Sequence, residues 1–228
     1  LWVPFAVREA VKLASRESFQ GMITTSPPHS AHLAGLRIHR KTGLPWVADF
    51  RDHWLAEKYE SVPTRLHWER NRSLLVKVLR TASRMVTVSD PLTRDLARLS
   101  GRNPGDFLTL PNGYAAADFE GIRPVVSDRF TFVYCGSLSP IRDPGPFLEA
   151  MAAAGKKCPE LAKAMRLKLV GRVYGLDLDS RIRSLGLSGS VELTGYVDHR
   201  ESIAHMMGAD MLLLLTDKRT SEATVSGK

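Results

Sequence analysis

Short apolar, β-branched runs alternate with longer amphipathic stretches along this chain. The runs predict strands over Gly21–Ser26, Pro45–Phe50, Arg84–Ser89, Phe107–Leu110, Phe130–Cys135, Arg166–Val170, Ser190–Thr194 and Asp210–Thr216. The amphipathic stretches predict helices over Pro4–Ser18, Ser30–Arg40, Thr64–Thr81, Pro91–Leu99, Pro146–Gly155, Asp179–Leu185 and Arg200–Met207. Asp90 before Pro91 reads as an N-cap followed by proline at the first helical position. Several of the strands are almost wholly apolar, as strands covered on both faces must be. The alternation implies an α/β fold with parallel sheets and helices on both faces.

One seam interrupts the pattern. Pro111-Asn112-Gly113 closes a strand, and Tyr114–Arg129 then lacks clear periodicity. A boundary near residue 120 is expected there, dividing an incomplete domain over 1–120 from a second over 121–228. The chain opens on a helix with no strand before it and stops just after a strand. Each half is therefore expected to lack part of its sheet.

Composition narrows the class. The 228 residues are 43% hydrophobic and 25% charged, which is ordinary for a globular chain. The longest apolar run, Met211–Leu215, is strand-sized and far too short to span a bilayer. The opening segment carries no secretory-signal pattern. Cys135 and Cys158 are the only cysteines, so no disulfide framework is expected and a reducing cytoplasm fits best.

The net charge is +8. Much of it comes from Arg65, Arg70, Arg72, Lys77, Arg80, Arg84, Arg94, Arg98 and Arg102, set against Glu69, Asp90 and Asp95. Such a face attracts anionic lipid, phosphorylated substrates or nucleic acid, or simply keeps the protein solvated. Interleaved aromatics are missing, so nucleic acid is not an expected partner.

In parallel α/β sheets, ligands bind beyond the carboxyl ends of the strands. In the second half, Gly136-Ser137 begins a loop that contains Arg142 and leads into a helix opened by Asp143 or nearby. Glycine admits a phosphate close to the backbone, a helix N-terminus favours the anion, and arginine pairs with it bidentately. The bland alternative is a βα loop with a surface arginine. Gly171 and Gly195-Tyr196-Val197 follow the next two strands; together these glycines could make a phosphate and base pocket, while each alone is a common turn residue.

In the first half, Ser26-Pro27-Pro28-His29 follows one strand and Asp49-Phe50-Arg51-Asp52-His53-Trp54 ends the next. That density of polar groups suits a site. The alternative is a structural Arg–Asp pair beside a packing tryptophan. HExxH, Walker A, GxSxG and CxxC patterns are absent. His29 and His32 lack the further ligands of a zinc set. Asp177-Leu178-Asp179 spells a D-x-D, but it precedes a helix, where aspartates cap and complement the dipole.

The chain resembles glycosyltransferase family 4, of the retaining, two-domain GT-B type. The resemblance rests on Thr24–Ser30, Gly43–Trp54, Leu110–Gly113, Tyr134–Pro144, Leu169–Gly171, Val191–Val197 and Gly208–Asp210, and covers essentially the whole chain. It implies two Rossmann-like domains. A nucleotide-diphosphate sugar would bind mostly to the second, through Gly136, Ser137, Arg142, Gly171, Tyr196, Val197 and Lys228. The acceptor, a glycan or lipid-linked sugar, would bind against the first, with Arg51, Asp52 and His29 as the catalytic candidates. Transfer would occur in the cleft between them.

Departures from the family pattern are visible. Ser137 stands where an arginine is usual, Arg142 where a lysine is usual, and His53 where the Arg-Asp-x-Trp branch has proline. Gly227-Lys228 looks like the start of a segment whose glutamate contacts the donor sugar. The implied chemistry requires no metal or other cofactor, because cations and helix N-termini stabilise the departing diphosphate. A sugar-nucleotide epimerase of the same fold and a non-catalytic binding fragment are the rival readings. A nicotinamide oxidoreductase is disfavoured, since GxGxxG follows no strand. The resemblance further implies a cytoplasmic protein able to sit peripherally at the inner face of an anionic membrane.

Overall fold

The structure, a computed structural model, describes residues 2–55 and 64–216. It forms two compact units, one reaching Gly113 and the other beginning at Tyr114. Each unit contains its own four-stranded parallel sheet, so the expected α/β class holds in both halves.

The first unit comprises α1 (Val3–Ala14), β1 (Met22–Ser26), α2 (Ser30–Thr42), β2 (Trp46–Phe50), α3 (Arg65–Thr81), β3 (Arg84–Thr87), α4 (Asp90–Ser100) and β4 (Phe107–Thr109). Its strands lie in the order β1-β2-β3-β4. Ser26 pairs in register with Phe50, and Phe50 with Thr87, so their carboxyl ends finish together at one edge. β2 alternates between full and partial burial along its length, with Trp46, Ala48 and Phe50 sealed. β1 is an edge strand, and its Ile23 is largely exposed.

The core explains the helices. Leu75, Val78 and Leu79 form one face of α3 and are fully buried, which leaves Arg70, Arg72 and Lys77 outside. Helix α2 sits close over the sheet because Gly35 has no side chain: a Cβ there would stand 2.7 Å from the Trp46 ring. The Trp46 indole N–H donates to Thr24 Oγ1 at 2.9 Å, so the buried ring leaves no polar atom unsatisfied.

The second unit comprises β5 (Phe130–Cys135), α5 (Gly145–Lys157), α6 (Pro159–Ala164), β6 (Met165–Val170), α7 (Leu178–Ser184), β7 (Val191–Gly195), α8 (His199–Met207) and β8 (Met211–Leu212). The strand order is β7-β6-β5-β8. Tyr134, Leu138, Leu148, Leu167 and Leu169 are fully buried at its centre. The segment from Tyr114 onward is tied to this unit. His199 Nε2 lies 3.4 Å from Asp118, the Arg200 guanidinium donates to the Glu120 carbonyl at 3.1 Å, and Val125 N–H donates to the Ala204 carbonyl at 2.9 Å.

Three local expectations are corrected. The N-cap of α4 is Ser89, whose hydroxyl accepts from Leu92 N–H, and Asp90 is the first helical residue. Its extended backbone puts Ser89 at the strand-to-helix corner, where the cap must stand. The last strand is shorter than Asp210–Thr216: only Met211–Leu212 pair with β5. At the edge of the sheet, apolar character alone does not extend the ladder. The short helix α6 was not predicted, since Cys158-Pro159 disguises its single turn and a half.

Candidate active site

The carboxyl edge of the second sheet carries a row of glycines. Gly136, Gly171 and Gly195 end β5, β6 and β7 and have φ of 143°, 143° and 77°. The Gly136 amide donates to the Val170 carbonyl, and the Gly171 amide to the Gly195 carbonyl, which stitches the three ends side by side. A Cβ on Gly171 would lie 2.1 Å from the Gly136 carbonyl oxygen. Only a side-chain-free backbone closes this edge, and the result is a bare polar shelf where ligands of such sheets bind.

The loop after β5 is locked to the loop after β6. Leu138 N–H donates to the Arg172 carbonyl and Tyr174 N–H to the Leu138 carbonyl, both at 2.9 Å. The Tyr134 hydroxyl donates to the Ser137 carbonyl at 2.9 Å from beneath. Arg142 closes a tight turn, its amide donating to the Ser139 carbonyl at 2.8 Å. Its side chain is exposed and forms no ion pair among the described residues. Burial pushes the Tyr134 phenol up, and the Arg142 charge nearby opposes that shift.

Asp143 turns out to be structural. One carboxylate oxygen caps the Gly145 amide at 2.8 Å, and the other takes a 3.1 Å ion pair from Arg181, which also binds Glu149. Asp177 is the N-cap of α7 and accepts from Ser180 N–H, so the D-x-D serves as a cap. Tyr196 projects into solvent beyond Gly195, with Val197 beside it. Lys228 lies outside the described residues.

In the first unit, the cluster at the strand ends divides into structural and unengaged groups. Arg51 is structural. It pairs with Asp49 at 3.7 Å, donates to the Leu110 carbonyl at 3.4 Å, and donates to the Asn112 side chain. Asp49 also accepts from Thr25 at 2.8 Å. The arginine therefore fastens the loop after β4 to the end of β2. Its carboxylate partner is Asp49 rather than Asp52, because Asp49 and Arg51 point to the same side of the extended chain. Asp52 makes no hydrogen bond or ion pair among the described residues.

Burial lowers the pKa of three histidines of this unit, and one of them, His29, feels the charge of Asp52. The rings of His29 and Trp54 stack at 5.2 Å and 7°. His29 is shifted below the usual histidine range by burial, against the opposing charge of Asp52 and with a small contribution from His53. His32 is fully buried between Thr24, Phe50 and Trp54, and burial lowers it to about 4. His53 is also lowered by burial, and its Nδ1 accepts from Leu55 N–H at 2.9 Å, which leaves the proton on Nε2. His29 Nδ1 has no hydrogen-bond partner among the described residues.

The structure therefore brings together His29, Asp52 and Trp54 at one sheet edge and Gly136, Ser137, Gly171, Arg142 and Tyr196 at the other. The sequence reading missed Asp49 and Asn112 as the partners of Arg51. The two-residue spacing of Asp49 and Arg51 in a strand was the available signal; nothing local pointed to Asn112. Groups of three or more potential metal ligands are absent among the described residues. Among the same residues, no helix is long and apolar enough to cross a membrane.

Known proteins share this fold. A sequence comparison with curated proteins gives no match. Among solved structures, Anabaena Alr3699/HepE in complex with UDP superposes with a TM-score of 0.66 at 18% identity, over 90% of this chain and 55% of that one. Sucrose-phosphate synthase from Thermosynechococcus elongatus does so with 0.64 at 16%, over 92% and 53%. The lipopolysaccharide outer core galactosyltransferase WaaB gives 0.59 at 14%, over 94% and 55%. The chain thus spans about half the length of these proteins, and at such identities the likeness speaks for the fold: two Rossmann-like units of the GT-B glycosyltransferase type. Residues 2–113, the whole described part of the first unit, match the sequence model of the glycosyl transferase 4-like domain, so the first unit is a domain of this glycosyltransferase-like kind.

Proposed function

We propose that the chain is part of a glycosyltransferase that moves a sugar from a nucleotide-diphosphate sugar to an acceptor hydroxyl, with retention. The observation that carries this reading is the glycine-lined edge of the second sheet, followed in its β5 loop by the exposed Arg142, which forms no ion pair among the described residues. Without side chains at Gly136, Gly171 and Gly195, a diphosphate could approach the backbone at these strand ends, and Arg142 would supply the charge. HepE, which shares the fold, is known in complexes with UDP and with UDP-glucose.

The chemistry follows from these groups. As the bond from the anomeric carbon to the diphosphate breaks, negative charge builds on the leaving phosphate, and Arg142 stabilises it without a metal. The acceptor hydroxyl attacks the same face of the sugar, and the departing phosphate takes its proton. On the first unit, the unengaged Asp52 carboxylate orients that hydroxyl, with neutral His29 accepting a hydrogen bond beside it. Arg51 holds the Asp52 loop in place through Asn112 and Leu110. The protein acts in the cytoplasm on a glycan or lipid-linked acceptor, with the exposed cations of α3 facing an anionic membrane. The unit that reaches Gly113 would serve the acceptor, and the unit that begins at Tyr114 the donor.

Calorimetry with UDP, GDP and ADP tests the donor half of the reading. Binding of at least one, weakened about tenfold or more by Arg142→Ala, is expected. No binding of any of them would remove the nucleotide-sugar assignment.

A further inference from the structure

The edge of the second sheet holds another cation whose surroundings are unusual for a surface arginine. Arg172 directly follows Gly171 at the end of β6. Its carbonyl accepts the Leu138 amide at 2.9 Å, so its backbone is fixed beside the Gly136-Ser137 loop. Its guanidinium lies over the Tyr196 ring, 4.7 Å from the centroid. Tyr196 in turn directly follows Gly195, and it is 71% exposed. No acid pairs with Arg172 among the described residues.

Each of these facts bears on function. A surface arginine without an acidic partner ordinarily samples many rotamers and does nothing in particular. Here the backbone is anchored and an aromatic face restrains the head group. Such a large exposed aromatic is a poor choice for packing alone, since most of its surface stays in water. A guanidinium held over a ring face by cation–π attraction needs no acid to hold it there, and its N–H fork still matches a phosphate. The neighbouring Ser137 is neutral, and its amide makes no hydrogen bond to another described residue. Across the sheet edge, the order β7-β6-β5 sets Tyr196, Arg172 and the Gly136–Arg142 loop side by side.

We propose that Arg172 is a second diphosphate-binding cation of the donor site, held in its binding conformation by Tyr196. This rests on the nucleotide-sugar reading above. Arg142 and Arg172 flank the Gly136–Gly171 shelf from neighbouring strand ends, and a nucleoside diphosphate lying on the shelf meets one guanidinium on either side. Tyr196 acts through Arg172 as a positioning residue, by its ring and not by its hydroxyl.

The test is calorimetry on the chain with UDP, UMP and uridine. Arg172→Ala is expected to weaken UDP by about ten- to a hundredfold, UMP by less, and uridine by less than twofold. Arg172→Lys keeps the charge but loses the planar fork and the full stack, and is expected to fall between the two. Tyr196→Ala should lose part of the UDP affinity that Arg172→Ala loses, and Tyr196→Phe, which keeps the ring, should lose less than Tyr196→Ala. Unchanged UDP affinity in Arg172→Ala, with Arg142→Ala still impaired, overturns this inference and leaves the nucleotide-sugar reading standing. An equal loss for UDP and uridine also overturns it, because the arginine would then contact the base. Absence of UDP, GDP and ADP binding in the unaltered chain defeats both.

Discussion

Gly171 and Gly136 end adjacent strands so close together that a Cβ on the first would stand 2.1 Å from the carbonyl oxygen of the second. That contact shapes the shelf on which the donor is proposed to lie, and it makes the position testable apart from any charge. Gly171→Ala must displace a backbone carbonyl and also tolerate φ of 143°. A loss of about 2–4 kcal/mol is expected. Gly186 is a fair control, since its φ is 71° and nothing lies within 4 Å of an added Cβ. Gly186→Ala should cost only about 1–2 kcal/mol. Urea unfolding of both variants checks the difference, and equal losses would mean that the close approach carries no energy of its own.

Arg51 and Asp52 are neighbours with different work. Arg51 joins Asp49, the Leu110 carbonyl and Asn112, whereas Asp52 joins none of the described residues. Arg51→Ala should lower stability by about 1–3 kcal/mol, and Asn112→Ala by about 1 kcal/mol. Asp52→Asn should leave stability within about 0.5 kcal/mol and impair sugar transfer. Denaturation midpoints and turnover measured on the same preparations separate the roles. Full turnover in Asp52→Asn would remove that carboxylate from the mechanism.

Buried His32 predicts an acid-side loss of stability. Its pKa falls from 6.5 to about 4 through burial. The unfolded chain therefore binds a proton that the folded one refuses, so stability is full above about pH 6.5 and declines as pH falls towards 4. Below the folded pKa the slope from this residue ends. Between pH 7 and 5 the decline is about 2 kcal/mol for His32 alone. His29 and His53 are shifted in the same direction and add to it. His32→Gln should flatten the profile over this range relative to the parent, as read from urea titrations at each pH. An unchanged slope would place the pH sensitivity elsewhere.

The cationic surface of α3 should confer electrostatic docking without insertion. Leu75, Val78 and Leu79 are fully buried in the core and unavailable to lipid, while Arg70, Arg72 and Lys77 are exposed. Each basic residue near an anionic surface contributes about 1 kcal/mol. Co-sedimentation with vesicles rich in phosphatidylserine is expected at low salt and should fade at moderate salt. Neutral vesicles should not bind. Equal binding to both, or to neither, would make the face a solubility feature and point to a soluble acceptor.

Much of the architecture was legible from the chain alone. Alternation of apolar runs with amphipathic stretches located every strand, because a β-strand and a helix impose different periods on the residues they bury. Boundaries were legible where a local signal marked them. Gly43 and Gly101 adopt the left-handed conformation that ends α2 and α4, while Thr64 caps α3 through its own side chain. They were less legible where pairing with a neighbour decides, as in β8, whose apolar run outlasts its ladder.

The site was legible only as a set of residue types placed after strands. Arg51, Asp52 and His29 stood out because polar side chains crowd a strand end, yet their division of labour depends on partners far away in sequence. Asn112 reaches Arg51 only because β4 lies two strands from β2 in the same sheet. The low pKa of His32 comes from enclosure by Phe50, Trp54 and the sheet, which no window of sequence contains. Likewise, Arg172 is an unremarkable surface residue until the neighbouring strand sets Tyr196 beneath its guanidinium. Local sequence determines where the chain turns and which faces are apolar, since those are properties of adjacent residues. Which charges are paired, which histidines stay neutral and which cation is left free to bind are decided by distances across the sheet.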